Sequence, residues 1–405
     1  MTRIERIYAD FKSELHKELI GNILPFWMTK MVDWENGGFF GRIDGEDKVH
    51  PFSGKGAVLN ARILWTFSAA YRLEKNPEYL KIAERAFDYI QDYFTDKING
   101  GIFWELNYKG EPLNRRKQMY AQGFALYGFS EFFRATGRIE ALEAAKNLFY
   151  LIEKYSYDSE NGGYIEALDE NWNTIEDMRL SLRDNNAPKT MNTHLHILEP
   201  YTNLLRVWKD PELIKAQTRL IKTFCTRIIH HETKHLQLFF DMEWNSQDKG
   251  ISYGHDIEAA WLLFEAAEVL GDAELIKTVK KLSIEIVEAA YEGLQPDGSL
   301  IYEITHTGHV DTDRHWWVQA EAVTGSYYAW LLSGDDKYLE TAKKCWEYVK
   351  ENLIDKRNGE WVWSANSGGL QNRKDDKAGF WKCPYHNSRM SLEVMERNPL
   401  PSLRA

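Results

Sequence analysis

Several features that would point to common classes of protein are scarce in this chain of 405 residues. Its three cysteines, Cys225, Cys345 and Cys383, are far apart, which excludes a disulfide framework and any Cys-x-x-Cys zinc or redox motif. No apolar run is long enough to span a bilayer, and no signal-like segment follows the N-terminus. A net charge of -11 with scattered lysines and arginines argues against a nucleic-acid partner. We expect a soluble, cytoplasmic protein with a small neutral ligand.

Motifs for nucleotides and metals are lacking as well. The Asn-Gly-Gly elements lie at turns between repeats, so they do not form the strand-to-helix loop that cradles a phosphate. His196, His255, Glu258 and His386 could make a ligand set on paper, but none has the close spacing of a zinc motif. We therefore expect neither a metal nor a cofactor.

What the chain does contain is a repeat with a period of about 60 residues. Asn-Gly or Asp-Gly turns, each followed by a short aromatic string, recur at 36–40, 99–104, 161–164, 297–302 and 358–363. One unit lacks the glycines and has residues 235–240 in their place. Such regular punctuation predicts a fold built from similar units.

Each unit contains two helical patterns. The pairs are 58–73 with 77–94, 120–136 with 139–155, 193–208 with 211–229, 257–270 with 275–290, and 318–332 with 337–353. A first helix over 4–31 and a last helix over 387–397 give about twelve. The first helix of each pair is nearly apolar all round, which favours a closed ring over an open solenoid. We predict an all-α protein with a single domain over 1–405, an (α/α)6 barrel with short β-hairpins at its mouth.

Polar residues stand near the start of every inner helix, which would bring them to one end of the barrel. These are Asn60 and Arg62, Tyr120 and Gln122, Asn192 and His196, His255 and Glu258, Trp317, Gln319 and Glu321, and His386 and Arg389. A single histidine is more often a core or surface residue, and His194, out of phase with Asn192, is interpreted in that way. The shared register makes His196, His255 and His386 candidates for a common pocket.

The surroundings of these histidines are typical of a sugar site. Arg62 lies in an apolar helix, where its charge needs an anion, a sugar oxygen or a carboxylate such as Glu258. Trp316, Trp317 and Trp381 adjoin polar residues, so they could stack on sugar rings, although core packing is the alternative. An imidazole is also the group that could remove a proton beside the carbonyl of an opened sugar.

Four strings carry a family resemblance: MNTHLHILE from Met191, YGHDIEAAWLL from Tyr253, WWVQAE from Trp316 and WKCPYHNSR from Trp381. With them the chain, from about residue 24 to residue 397, resembles the N-acylglucosamine 2-epimerase superfamily. The last string is similar to that of the members that act on β-1,4-linked disaccharides. The resemblance implies cofactor-free, reversible epimerisation at C2 of the reducing-end glucose of cellobiose or lactose, which yields mannose.

The resemblance also implies a role for each candidate. His255 and His386 would be the acid/base pair, His196 and Asn192 would contact the oxygens of the opened sugar, Arg62 would face O1 or O2, and Glu258 would orient an imidazole. Tyr120 and Asp184 would be further contacts, and Trp381 with Trp316 or Trp317 would stack on the sugar rings. Either one histidine or two could carry the C2 proton during inversion.

Alternatives remain at this point. Enzymes that epimerise N-acylglucosamine and enzymes that isomerise mannose to a ketose share the expected fold. A glycoside hydrolase of this fold would use a carboxylate pair, for which Glu258 and Glu321 are candidates. A non-catalytic carbohydrate-binding barrel is the third alternative, and a monomer or weak homo-oligomer is expected.

Overall fold

Helices dominate the computed structural model, which describes residues 2–397. Arg3–Glu18 (α1) continues through a π-helical turn, Leu19–Ile23, into Leu24–Lys30 (α2). Five helix pairs and a last helix follow: Ala57–Glu74 (α3) and Pro77–Tyr89 (α4), Met119–Thr136 (α5) and Ile139–Tyr155 (α6), Met191–Leu205 (α7) and Pro211–Thr223 (α8), Tyr253–Leu270 (α9) and Ala273–Ala290 (α10), Trp316–Ser333 (α11) and Asp336–Asn352 (α12), and Tyr385–Glu396 (α13). With α1 and α2 taken as one, the described residues form the predicted twelve helices. Residues 1 and 398–405 of the predicted domain lie outside this range.

The first helices of the pairs form a closed ring. Helices α3, α5, α7, α9, α11 and α13 each pack against the next, and α13 packs against α3. Their partners α4, α6, α8, α10 and α12 lie outside, and α1 covers α13. Every residue of α11 from Trp316 to Leu332 is buried, whereas α12 buries one face. The predicted (α/α)6 barrel is therefore confirmed, because only helices enclosed on all sides can be apolar all round.

Local signals explain where the helices start and stop. Asn76, Asp210, Asp272 and Asp335 each cap an outer helix by accepting a backbone N–H at its first turn. Gly137, Gly271 and Gly334 end inner helices with φ of 73°, 83° and 75°, the left-handed conformation that glycine adopts without strain. These short connections fold each outer helix back along its inner partner. The outer helices consequently end beside the starts of the inner helices.

Short strands join neighbouring units at this end of the barrel. Each strand that precedes an inner helix pairs antiparallel with a strand of the following unit: Lys55–Gly56 with Glu105–Leu106, Lys117–Gln118 with Ala167–Leu168, Lys189–Thr190 with Phe239–Phe240, Ile251–Ser252 with Glu303–Ile304, and Arg314–His315 with Ser364–Ala365. Pro112–Asn114 and Val310–Asp311 add a third strand to two of these sheets. The strands thus surround the predicted mouth.

The fourth residue of four inner helices binds the backbone just before one of these strands. Gln122, His194, Asp256 and Gln319 accept hydrogen bonds from the backbone N–H groups of Ile102, Tyr164, Leu236 and Leu300, at 2.7, 2.9, 2.8 and 2.8 Å. Part of the polar register in the sequence therefore serves the fold. His194 has this structural role, in line with its interpretation from the sequence.

None of the helices within residues 2–397 has the length and apolar character that crossing a bilayer would require.

Candidate active site

Three imidazoles lie at the mouth, each in the first turns of a different inner helix. His196 of α7 and His386 of α13 are buried, whereas His255 of α9 is partly exposed. The ring of Trp317 lies 4.8 Å from that of His255 and 5.6 Å from that of His386. The sequence prediction that these helix starts meet in space is consistent with this arrangement.

His386 is held by a carboxylate. Its Nδ1 lies 2.7 Å from Oε1 of Glu321, whereas Oε1 of Glu258 is 3.9 Å away. Glu321, rather than the predicted Glu258, therefore orients this imidazole. Burial lowers the pKa of His386 to about 3, although the hydrogen bond to Glu321 acts in the opposite direction.

Arg389 binds three glutamates below the imidazoles. Its guanidinium donates to Glu199 Oε2 at 2.6 Å, to Glu258 Oε1 at 2.5 Å and to Glu321 Oε1 at 2.6 Å. Burial raises the pKa of Glu321, but Arg389 and His386 hold it well below the usual range. Burial and the charge of Glu321 raise the pKa of Glu258. The buried Oε2 of Glu258 has no hydrogen-bond partner within residues 2–397.

His196 is oriented by a carboxylate that the sequence interpretation missed. Its Nδ1 lies 2.7 Å from Oε1 of Glu199, which is three residues further along α7. Tyr385 donates its hydroxyl hydrogen to Oε2 of the same glutamate. Residues three apart share one face of a helix, so the spacing of His196 and Glu199 was the available signal. Burial lowers the pKa of His196.

His255 has a different kind of partner. Its Nδ1 lies 2.7 Å from the hydroxyl Oγ of Ser252, the residue immediately before α9. Burial lowers the pKa of His255 to about 3, and the charges of His196 and His386 add to this effect. Sequence reasoning did not identify Ser252. Its position three residues before a histidine at a helix start was the only signal.

Arg62 is buried among aromatic rings. It donates from Nη2 to the hydroxyl of Tyr120 at 2.8 Å and from Nη1 to Sγ of Cys383 at 3.6 Å. Its guanidinium lies 4.1 Å from the ring centre of Phe124 and 4.8 Å from that of Tyr385. No carboxylate in residues 2–397 forms an ion pair with it, since Glu258 is bound to Arg389 instead. A buried cation without a counterion is suited to an anion that forms on a ligand.

The tryptophans divide into two kinds. Trp317 contacts both histidines, whereas its neighbour Trp316 packs against Trp363 at 4.6 Å and beneath Lys382. Trp381 is partly exposed, with its ring 6.0 Å from Tyr120 and 5.9 Å from Trp104. Of the two candidates in α11, Trp317 is therefore the one beside the imidazoles.

Asn192 and Asp184 complete the predicted set. Asn192 is partly exposed, and its buried Oδ1 has no partner in the described chain. Asp184 lies in the segment after the strand Ala167–Leu168, where its Oδ2 accepts from the backbone N–H of Ser181 at 2.8 Å. The negative charge of Asp184 helps to raise the pKa values of Glu303 and Glu166, which burial raises first. Within residues 2–397, no hydrogen bond or ion pair joins Asp184 to the three histidines.

One group of side chains has the donor atoms for a metal ion. Atoms of Glu258, Glu321 and His386 lie within 4.8 Å of one another. The guanidinium of Arg389 donates to both carboxylates, so a cation already balances their charge. A metal would have to displace this arginine, which does not fit the usual geometry of a closed metal site.

Oriented imidazoles beside a guanidinium without a counterion suit proton transfer next to a carbonyl, which is the chemistry of the carbohydrate epimerases and isomerases. A family model described as N-acylglucosamine 2-epimerase (GlcNAc 2-epimerase) matches residues 38–388. The chain belongs to this family, as the sequence motifs predicted, and it is a carbohydrate epimerase or isomerase.

Individual relatives agree with this assignment. The chain is 56% identical to a cellobiose 2-epimerase of Bacteroides fragilis, over 95% of this chain and 98% of the relative. The solved structure of cellobiose 2-epimerase from Bacillus thermoamylovorans matches with a TM-score of 0.93 at 42% identity, covering 96% of this chain and all of the other. A D-mannose isomerase of Marinomonas mediterranea is 23% identical over 96% of this chain and 98% of the relative.

Proposed function

We propose that this protein is a cellobiose 2-epimerase, which converts the reducing-end glucose of cellobiose or lactose into mannose and back. The observation that carries the proposal is the placement of two imidazoles around Trp317. His255 on α9 and His386 on α13 lie on the two helices that flank α11, and the Nδ1 atom of each is hydrogen-bonded to another side chain. With Nδ1 engaged, Nε2 of each ring is the atom available to a ligand. The high identity to cellobiose 2-epimerases supports the choice of substrate.

The reaction begins with opening of the pyranose ring, because a carbon-bound proton is acidic only beside a carbonyl. One histidine then takes the proton from C2, and the electron pair of the C–H bond enters an enediolate. Proton return to the opposite face of C2 inverts the configuration. His255 and His386 come from different helices, so both faces of a sugar could be served.

Negative charge on O1 and O2 of the enediolate needs stabilisation. Arg62 carries a charge that no described carboxylate neutralises, and it is the donor for these oxygens. Near the same end of the barrel, the unpartnered Oδ1 of Asn192 and Nε2 of His196 would accept from sugar hydroxyls, and the amide N–H of Asn192 would add a donor. Fixed donors in a site with little water stabilise such charge more than water does. We assign these three residues to the sugar oxygens and Tyr120 to the support of Arg62.

The second sugar unit supplies binding. We assign Trp317 and Trp381 to stacking on sugar rings and Asp184 to a polar contact at the mouth. The proposed enzyme works without a metal or cofactor, is cytoplasmic, and is a monomer or weak homo-oligomer. Neither a nucleic acid nor a membrane is proposed as a partner.

The geometry argues against a glycoside hydrolase. Such an enzyme places two carboxylates across the scissile bond, with separations of roughly 5 Å or more. Glu258 and Glu321 instead bind one nitrogen of Arg389 through their Oε1 atoms, at 2.5 and 2.6 Å. Both act on the same guanidinium, so they are not free to flank a glycosidic oxygen.

A product assay tests the proposed function. Cellobiose, lactose, mannose and N-acetylglucosamine are incubated with the protein in heavy water and followed by NMR. We expect a mannose-ended disaccharide with deuterium at C2 from cellobiose or lactose. Conversion of mannose or N-acetylglucosamine alone would favour the related activities, and released glucose would favour a hydrolase.

A further inference from the structure

Ser252 stands where a helix cap is expected and does not act as one. A serine immediately before a helix usually accepts a hydrogen bond from a backbone N–H of the first turn. Thr190 does so at the corresponding position of α7, where Oγ1 accepts from the N–H of Thr193 at 3.1 Å. The Ser252 side chain makes no such bond to α9. Its buried Oγ lies 2.7 Å from Nδ1 of His255 instead.

The partner of His255 differs in charge from those of the other two imidazoles. Glu199 and Glu321 hold His196 and His386, and their pKa values lie below the usual range despite burial. An ionised carboxylate can only accept, so it selects the tautomer with hydrogen on Nδ1 and stabilises the protonated ring. A hydroxyl can accept from the same nitrogen but adds no charge.

We propose that Ser252 is a positioning residue that accepts the Nδ1 hydrogen of His255, so that Nε2 of a neutral imidazole faces the sugar. This inference rests on the proposed epimerase function. For transfer in the forward direction His386 must carry a proton, which the charge of Glu321 stabilises and burial opposes, and His255 must carry none. His255 is then the base for the first transfer.

The proton balance follows from this arrangement. Nε2 of His255 takes the C2 proton, and the bonding electron pair remains on the sugar as the enediolate. The protonated His386 gives its Nε2 proton to the opposite face of C2. His255 ends protonated and His386 neutral, which is the state from which the reverse reaction starts.

On the side of α11, the imidazole of His255 packs against the ring of Trp317, with ring centres 4.8 Å apart. A Cβ atom on Gly254 would lie 2.7 Å from the Trp317 ring, so α9 and α11 approach closely at this turn. The titratable groups whose charges act on His255 are His196 on α7, Glu321 on α11 and His386 on α13. Among the described residues, none of these replaces Ser252 as a hydrogen-bond partner of His255 Nδ1.

Three substitutions of Ser252 test the inference by kinetics. Ser252→Ala should lower kcat about tenfold with little change in KM, and Ser252→Thr, which keeps the hydroxyl, should restore most of the loss. Ser252→Asp should move the acidic limb of the kcat/KM profile to higher pH, because a carboxylate stabilises the protonated ring. Wild-type kcat in Ser252→Ala, or no rescue by Ser252→Thr, would overturn the inference.

Thr190→Ala is the matched control, because Thr190 is a true cap. It should lower the melting temperature, whereas Ser252→Ala should lower kcat with a smaller change in melting temperature. A loss of melting temperature in Ser252→Ala as large as that in Thr190→Ala would indicate a structural role for Ser252 instead.

A spectroscopic measurement separates this inference from the proposed function. In protein labelled with 15N-histidine, the His255 signals are assigned by their loss in His255→Gln. We expect the Nδ1–H tautomer in the wild type and a mixture in Ser252→Ala. The Nε2–H tautomer in the wild type would refute the role of Ser252, whatever the activity. Failure to convert cellobiose with the expected tautomer present would refute only the proposed function.

Discussion

Oε1 of Glu321 accepts hydrogen bonds from His386 Nδ1 at 2.7 Å and from Arg389 Nη2 at 2.6 Å. One carboxylate oxygen thus orients an imidazole and is itself held by a guanidinium. Arg389 also binds Glu199, which orients His196. The orientation of two imidazoles therefore depends on one buried arginine.

Replacement of Glu321 by glutamine should show whether its negative charge, and not only its size, is needed for turnover. Glu321→Gln keeps the size of the side chain but removes the charge that stabilises protonated His386. We expect kcat to fall by roughly ten- to a hundredfold with little change in KM. Steady-state kinetics on cellobiose measure this.

Glu131→Gln is its control, because Glu131 is equally buried and binds Arg72 and Arg134 instead of an imidazole. This control should lower the melting temperature and leave kcat near the wild-type value. An unchanged kcat in Glu321→Gln would exclude Glu321 from orienting a proton carrier.

Loss of either proposed proton carrier should abolish epimerisation. His386→Ala and His255→Ala should each reduce turnover of cellobiose a hundredfold or more, since water does not replace an oriented imidazole efficiently. Circular dichroism should show an intact helical fold. His16→Ala, at a partly exposed histidine on α1, should behave as wild type. Near wild-type turnover in one of the two variants would remove that histidine from proton transfer.

Trp381 should contribute to substrate binding more than to chemistry. Trp381→Ala should raise the KM for cellobiose, with a loss of about 1 to 3 kcal/mol of binding from aromatic contact area. The preference for a disaccharide over free glucose should fall with it. If that preference is unchanged, Trp381 serves packing against Trp104 and Phe380.

Chelators should not affect the enzyme. Glu258 and Glu321 already share the positive charge of Arg389, so a divalent ion would have to compete with a buried guanidinium. Activity on cellobiose after dialysis against EDTA should equal that of the untreated protein. Loss of activity that added manganese or zinc restores would contradict the metal-free mechanism.

His194 should make the fold sensitive to acid. Its ring donates from Nδ1 to the carbonyl of Thr190 and accepts at Nε2 from the N–H of Tyr164, so it must be neutral. Burial lowers the pKa of His194 to about 4 from 6.5. The unfolded chain therefore binds a proton first, and the free energy of unfolding should decrease as the pH falls from about 6.5 to about 4, by roughly 3 kcal/mol.

His194→Gln tests this assignment, because glutamine occupies the same position in two other repeats. Gln122 and Gln319, at the equivalent positions of α5 and α11, bind the backbone of Ile102 and Leu300, each just before a strand. The variant should keep its melting temperature at pH 8 and lose less of it than the wild type between pH 6.5 and pH 4. Equal acid sensitivity in the two proteins would show that other groups are responsible.

The sequence alone determined the architecture and which histidines lie at the starts of the inner helices. Repeated turns and apolar helices predicted six helix pairs, because each repeat carries its own turn residues and its own hydrophobic pattern. The start of each inner helix was marked by polar residues, and ring closure required them to meet. The helix starts and the three histidines could be predicted because this information is local in the chain.

Only the tertiary structure decided which residues pair with which. Glu258 is three residues from His255 in sequence, yet it is Glu321 that binds His386, and Glu258 binds Arg389 and not Arg62. Trp316 and Trp317 are adjacent, but successive residues on a helix point roughly 100° apart. The orientation of α11 within the barrel therefore places Trp317, and not Trp316, beside the imidazoles. Partners on different helices depend on the distance and angle between those helices, to which many packed side chains contribute together.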